Sequence, residues 1–238
     1  MKKHFSKILL TIILVISGAV SYGQEDRQFT VKEGMTISDA LPDSMIYLYP
    51  KFLKGSVIFN NGKKDDAVLN YNLILAKIQF IKNDKDTLAV TNPGDVRIFV
   101  AGADTFLFNK VYYRMLLVKP KIMLACHQYT KVLEVRREAG YGLSNSTMAV
   151  DSYSSVLAAD NSGLHKLKAS AETLFSIRTE YFFTTGMNEF VTATQKNVIK
   201  MFPGQADNIK KYVKDNDLSF KKLADLQQLT RYVSSLPD

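Results

Sequence analysis

From Gly55 onward the chain alternates apolar and polar positions in short runs cut by turn-forming residues. Gly55 to Phe59 runs into Asn60-Asn61-Gly62, and Asn-Gly populates the positive-φ turns that join antiparallel strands. Ala67 to Lys82 reads as one long segment ending at Asn83-Asp84-Lys85-Asp86. Thr87 to Thr91 stops at Asn92-Pro93-Gly94, and Val96, Ile98 and Val100 alternate with Arg97 and Phe99 up to the turn at Ala101-Gly102-Ala103-Asp104. Phe106 to Val118 and Ile122 to Val135 follow, divided by Lys119-Pro120. Turns this closely spaced leave no room for the crossover helices of a parallel sheet, so the pattern predicts an antiparallel meander. In Ala67 to Lys82 the alternation breaks. That predicts either a strand buried on both faces or a bulge near Asn70-Tyr71-Asn72, and in both cases a place near the centre of the sheet.

Arg136 to Lys168 has loop composition, with one short strand candidate at Tyr153 to Ala158. Phe175, Ile177, Thr179, Tyr181 and Phe183 then alternate with Ser176, Arg178 and Glu180 as a last half-buried strand. After Gly186 the period changes. Phe190, Thr194, Val198 and Met201 share one helical face, stopped by Pro203-Gly204; Ile209, Tyr212 and Val213 mark a second helix. Ser219 reads as the N-cap of a third helix, stapled by Leu218 and Leu223. The expected fold class is α+β, mainly β. It comprises an antiparallel β-meander, as a sandwich or an open barrel, over residues 24–185 with a polar loop region near 136–168, then amphipathic helices over 186–238 packing on the sheet.

The first residues carry a different pattern. Lys2, Lys3 and Lys7 precede an apolar run of thirteen residues, Ile8 to Val20, and Ser21-Tyr22-Gly23 supplies the small residues that a signal peptidase reads. This predicts a secretory signal over residues 1–23, cut between Gly23 and Gln24. Thirteen residues rising about 1.5 Å each reach only about 20 Å into a hydrocarbon layer about 30 Å thick. The run therefore reads as a cleaved leader, and no cysteine follows it to take a lipid. The expected location is outside the cytoplasm, in the periplasm or at the cell surface, and not integral to a membrane after cleavage. A membrane β-barrel fits poorly with a helical C-terminus in place of closing strands.

Composition is that of an ordinary globular chain, 46% hydrophobic and 23% charged, which excludes collagen-like, disulfide-framework and disordered readings. The net charge of +8 includes three leader lysines, and the remaining excess is spread along the chain rather than clustered as a nucleic-acid surface requires. No nucleic-acid partner is expected. Cys126 is the one cysteine, so the fold rests on its apolar core.

Cys126 and His127 are adjacent, but strand neighbours point to opposite faces, so they read as a buried thiol and a separate imidazole rather than as a nucleophile with its base. Without the leader only His127 and His165 remain, which excludes a three-histidine site. Asp65, Asp66, Asp84, Asp86, Asp95 and Asp104 sit at turns, where hairpin chemistry accounts for them without calcium. Asn145-Ser146-Thr147 matches a glycan acceptor and reads more simply as a turn. Gly140-Tyr141-Gly142 lacks the third glycine of a dinucleotide loop, and there is no nucleophile elbow. No catalytic, metal or cofactor-binding residue is assigned, and no cofactor is expected.

Tyr47-Leu48-Tyr49-Pro50-Lys51-Phe52, Gly55 to Phe59, Leu69-Asn70-Tyr71-Asn72-Leu73, Asp86-Thr87-Leu88 and the stretch from Phe202-Pro203-Gly204 through Ile209 to Tyr212 and on to Phe220 together resemble a family of uncharacterised exported proteins of outer-membrane bacteria. The resemblance implies export and brings no activity or functional residues with it. The functional expectation is an exported noncatalytic binding or structural protein of the envelope, taking an envelope protein, a peptide or an apolar ligand. The alternative is an extracytoplasmic hydrolase with a carboxylate or histidine site, His165 among the candidates.

Overall fold

The computed structural model describes residues 27–82, 86–139, 142–145 and 169–237. Its strands are β1 (Gln28–Val31), β2 (Leu53–Phe59), β3 (Lys64–Asn72), β4 (Lys77–Lys82), β5 (Asp86–Ala89), β6 (Val96–Ala101), β7 (Asp104–Asn109), β8 (Val111–Val118), β9 (Met123–Ala139), β10 (Gly142–Asn145), β11 (Glu172–Thr184) and β12 (Val191–Thr192). All pairings are antiparallel, in one sheet ordered β1-β11-β9-β8-β7-β6-β2-β3-β4-β5, with β10 on β9 and β12 on β11. Its helices are the single turns α1 (Ile37–Ala40) and α2 (Asp43–Ile46), then α3 (Gln195–Met201), α4 (Ala206–Asp215) and α5 (Leu223–Ser235). The α+β, mainly β reading holds, with an open antiparallel sheet followed by C-terminal helices.

The longest ladder joins β9 to β11, from Met123↔Thr184 to Arg136↔Glu172. Register partners share a face, so Leu124, Cys126, Gln128, Thr130 and Val132 point inward with Phe183, Tyr181, Thr179, Ile177 and Phe175. A register shift between Leu174 and Phe175 gives β9 one extra residue, and beyond it Val135 pairs with Thr173 on the same buried face.

Two apolar clusters lie along this ladder. One gathers Phe29 and Val31 of β1, Val132, Val135 and Phe175 around Leu69, Tyr71, Ile78, Phe99, Phe106 and Tyr112. Tyr71 stacks on Phe106 at 5.5 Å and meets Tyr112 edge-on at 6.3 Å. The other packs Val198 of α3, Ile209 and Val213 of α4, and Leu226, Leu229 and Val233 of α5 on Ile122, Leu124 and Phe183.

Several expectations are corrected. The run Ala67 to Lys82 is a hairpin, β3 and β4, and lies toward the β5 end of the sheet rather than near its centre. Its apolar turn Leu73-Ile74-Leu75-Ala76 carries no turn composition, because the Asn72 side chain makes it: Oδ1 accepts from the amides of Ile74 and Leu75, both at 2.9 Å, while Nδ2 donates to Gln79. Ala76 then takes φ 51°. The turn is apolar because it docks on β9, where Tyr71 donates its hydroxyl to Gln128 O and Thr130 donates to Leu73 O. Phe106 to Val118 is likewise two strands, turning at Lys110 with φ 63°.

The polar region expected near 136–168 begins with strand: β9 continues to Ala139 and pairs with β10, since backbone ladders form without apolar side chains. The Tyr153 to Ala158 candidate, the Asn145-Ser146-Thr147 triplet beyond Asn145, and His165 lie outside the described residues. Phe190 is not on the helix. Thr194 caps α3, accepting from the Asn197 amide at 3.2 Å; Val191 and Thr192 before it form β12, and the Ala193 amide between them and the cap donates to Tyr181 O. Ser219 is not an N-cap either: it opens a turn closed by Lys222 N to Ser219 O, and α5 begins at Leu223. The sequence reading missed β1 altogether, a four-residue strand with every second residue buried.

Gly55 sits where β2 passes close to β6: a Cβ there would lie 1.8 Å from the Val100 carbonyl oxygen. Gly55→Ala must push β2 off β6 and is expected to cost at least about 2 kcal/mol of stability, measured by urea unfolding, whereas Gly94→Ala, in open space, costs under about 1 kcal/mol.

Candidate functional site

Three places concentrate chemistry. The first lies between the two apolar clusters on the inner face. Arg114 of β8 pairs in register with Cys126 of β9 and with Phe106 of β7, and Asp104 comes two residues before Phe106. Asp104 accepts the Tyr49 hydroxyl at 2.5 Å and Arg114 Nη1 at 3.5 Å. Burial pushes the Tyr49 hydroxyl up, reinforced by its bond to Asp104, and the phenol stays protonated as the donor. Burial works against the Arg114 charge, but the neighbouring Cys126, Asp104 and Tyr49 outweigh it and raise the group. Cys126 is buried, and that burial pushes its thiol up despite Arg114 beside it. A thiol held protonated inside the sheet is no nucleophile. This layer ties the chain before β2 to β7 and β8.

The second place is the outer face of the same strands. His127, facing away from Cys126, lies against two tyrosine rings, Tyr113 tilted with centroids 6.3 Å apart and Tyr129 stacked at 5.0 Å. Phe190 lies flat on Tyr113 at 3.8 Å, and its segment is tied down by Asn109 Nδ2 donating to Asn188 O. Nδ1 of His127 is 3.0 Å from the Tyr112 carbonyl oxygen. Tyr129 donates to Glu180 Oε1 at 2.8 Å; burial and that carboxylate push its hydroxyl up to about 12. Burial pulls the His127 imidazole below its ordinary value, against the opposing effects of the Tyr112 carbonyl and Glu180.

The third place is made by helix ends. Pro203 cannot continue α3, so the chain makes a short 3-10 turn, Pro203–Gln205, before α4. α5 stops at Ser235, and the extended Leu236-Pro237 crosses back over that turn, held by Gln205 Nε2 donating to Pro237 O at 3.1 Å and Lys121 Nζ donating to Leu236 O at 2.5 Å. Between them lies a groove of about 500 Å³ lined by Lys121, Met201, Phe202, Pro203, Gly204, Gln205, Val233, Leu236 and Pro237. Met201 also lines a smaller, more polar cleft of about 280 Å³ with Thr185, Glu189, Val191, Asn197 and Lys200.

The expected cleavage residues Gly23 and Gln24 lie outside the described residues. Among the described residues no three His, Cys, Asp or Glu side chains converge as a metal set, and no helix is long and apolar enough to cross a membrane. The groove was not read from sequence. Its signals are the Phe202-Pro203-Gly204 helix stop and the Leu236-Pro237 end, which sequence alone does not bring together. None of the family models, curated proteins or solved structures compared with the chain matches it.

Because the folded protein holds His127 neutral, the unfolded chain takes up its proton first as the pH falls. Stability from this group is complete above the ordinary imidazole value of about 6.5 and is lost as the pH drops below it. Urea midpoints measured between pH 7.5 and 5 are expected to fall in the parent and to fall less steeply in His127→Asn, whose amide can still donate to the Tyr112 carbonyl. Equal slopes would refute the assignment.

Proposed function

We propose that the protein is an exported, noncatalytic binding protein of the cell envelope that receives an apolar ligand, or the apolar side chains of a partner peptide, in the groove at its C-terminal end. The groove carries this reading. Its volume of about 500 Å³ falls inside the range of about 300 to 1,000 Å³ usual for ligand pockets. Met201, Phe202, Pro203, Val233 and Leu236 supply apolar wall, and among the described lining residues Lys121 alone carries a charge. Its walls are helix ends set on the buried Ile122, Leu124 and Phe183 platform, so the opening belongs to a packed part of the fold. The basic and apolar leader, with its small residues at Ser21 to Gly23, supports the export half of the reading. Among the described residues, groups a hydrolase would recruit stand elsewhere, with Asp104 and Arg114 between the clusters and His127 on the outer face.

Titration with an environment-sensitive apolar dye such as anilinonaphthalene sulfonate is expected to show one saturable site per chain. Phe202→Glu, which places a charge in the groove wall, should weaken it at least about tenfold, a loss of about 1.4 kcal/mol. Dye binding that is unsaturable, or unchanged by Phe202→Glu in a variant that still unfolds cooperatively, would remove the groove from the account. The export half is tested separately by the mass of the protein recovered from its host: a chain beginning at Gln24 in the envelope fraction is expected, and an intact cytosolic chain refutes it.

A further inference from the structure

The outer face of the β9–β11 ladder holds a pair of groups that the binding groove does not use. A carbonyl oxygen only accepts, so the 3.0 Å contact with Tyr112 O fixes the His127 proton on Nδ1 and leaves the Nε2 lone pair free. Among the described residues Nε2 has no hydrogen-bond partner, and it keeps some contact with solvent although the residue is only 9% exposed. The ring cannot swing away easily, because Tyr129 stacks on it at 5.0 Å and the Tyr113 ring lies 6.3 Å from it. Across the ladder, Glu180 is the register partner of His127 and is exposed. One of its carboxylate oxygens is held by the Tyr129 hydroxyl, which orients the group, and the other has no hydrogen-bond partner among the described residues.

We propose that His127 Nε2 and the Glu180 carboxylate form a binding site for a divalent first-row transition ion on the outer face of the sheet. Partners directly opposite in an antiparallel pair have Cβ atoms about 4.5 to 5.5 Å apart, within reach of one shared ion. The surrounding bonds are those that metal sites use: a backbone carbonyl on the far imidazole nitrogen sets the tautomer, and a phenol holds the carboxylate. The donor set selects the metal. One imidazole and one carboxylate, with no thiolate because Cys126 faces the opposite side, suit Cu²⁺ best and Ni²⁺ and Zn²⁺ less well, following the usual order of affinity. Among the described residues no third His, Cys, Asp or Glu joins them. Water therefore completes the shell, and the bound ion keeps open positions facing solvent.

The test is Cu²⁺ titrated into the leader-free protein, followed by calorimetry and electron paramagnetic resonance. One saturable ion per chain is expected, with the hyperfine pattern of a single imidazole nitrogen. His127→Asn should abolish binding. Glu180→Gln, at an exposed position that does not threaten folding, should weaken it at least about tenfold. His165→Asn, which removes the only other histidine of the leader-free chain, should leave it unchanged. The site is overturned by binding that survives His127→Asn, by loss in His165→Asn, by a Glu180→Gln variant that binds as tightly as the parent, or by no saturation below about 1 mM. Thermal unfolding of each metal-free variant separates a lost ligand from a lost fold. If His127→Asn does not fold, Glu180→Gln decides.

Discussion

The β9–β11 ladder is the constraint on which the rest of the molecule depends. A strand pair running from Met123↔Thr184 to Arg136↔Glu172 reaches both apolar clusters with its inner face: Leu124 and Phe183 carry the helices, while Val132, Val135 and Phe175 close the aromatic cluster. The register shift beside Phe175 is part of that device. With strict alternation Glu134, two residues past Val132, would take the inward position; the extra residue gives it to Val135 instead. Burying a side chain the size of valine or phenylalanine is worth about 1.5 to 3 kcal/mol, more than the net gain of about 1 kcal/mol from one ladder hydrogen bond. The irregularity is therefore favoured despite the ladder bonds it disturbs.

How much of this was legible in the sequence follows from which forces leave a local mark. Period-2 alternation in Phe175 to Phe183 and the Asn-Gly turn after Phe59 are local, and both gave the right elements. The β3–β4 turn is not local in the same sense. Leu73, Ile74 and Leu75 look like strand because they are buried, and they are buried because β9 lies against them, a contact that closes only after the sheet curls. The information was present in Asn72, whose side chain replaces the missing turn residues, but Asn in an apolar run reads equally well as a bulge. Phe190 misled for a related reason: its spacing from Thr194 and Val198 is helical, yet the Tyr113 ring fixes it elsewhere.

For chemistry the reading from sequence was most informative at Cys126 and His127. Period-2 geometry separates them, and the structure puts one in a layer with Arg114 and Asp104 and the other among aromatic rings. What sequence could not supply was the partner of each. Glu180 lies 53 positions after His127 and becomes its neighbour only through the ladder register. Arg114 meets Cys126 through a different register, across β8 and β9. The apolar groove has the same character, since its walls come from the stop of α3, the end of α5 and the turn before β9.

Separate faces also explain why one short stretch of β9 holds groups in such different states. On the inner face burial dominates for two groups: the Cys126 thiol stays protonated, and Tyr49 keeps its proton while donating to Asp104, with Arg114 beside them as the charged partner. On the outer face burial is incomplete. His127 is held neutral by its surroundings, yet Nε2 reaches solvent beside a carboxylate. A neutral imidazole with an outward lone pair is the form that binds ions, and the stacked rings that keep it neutral also hold its orientation. The packing that would make this histidine look merely structural is thus the packing that makes its free nitrogen available.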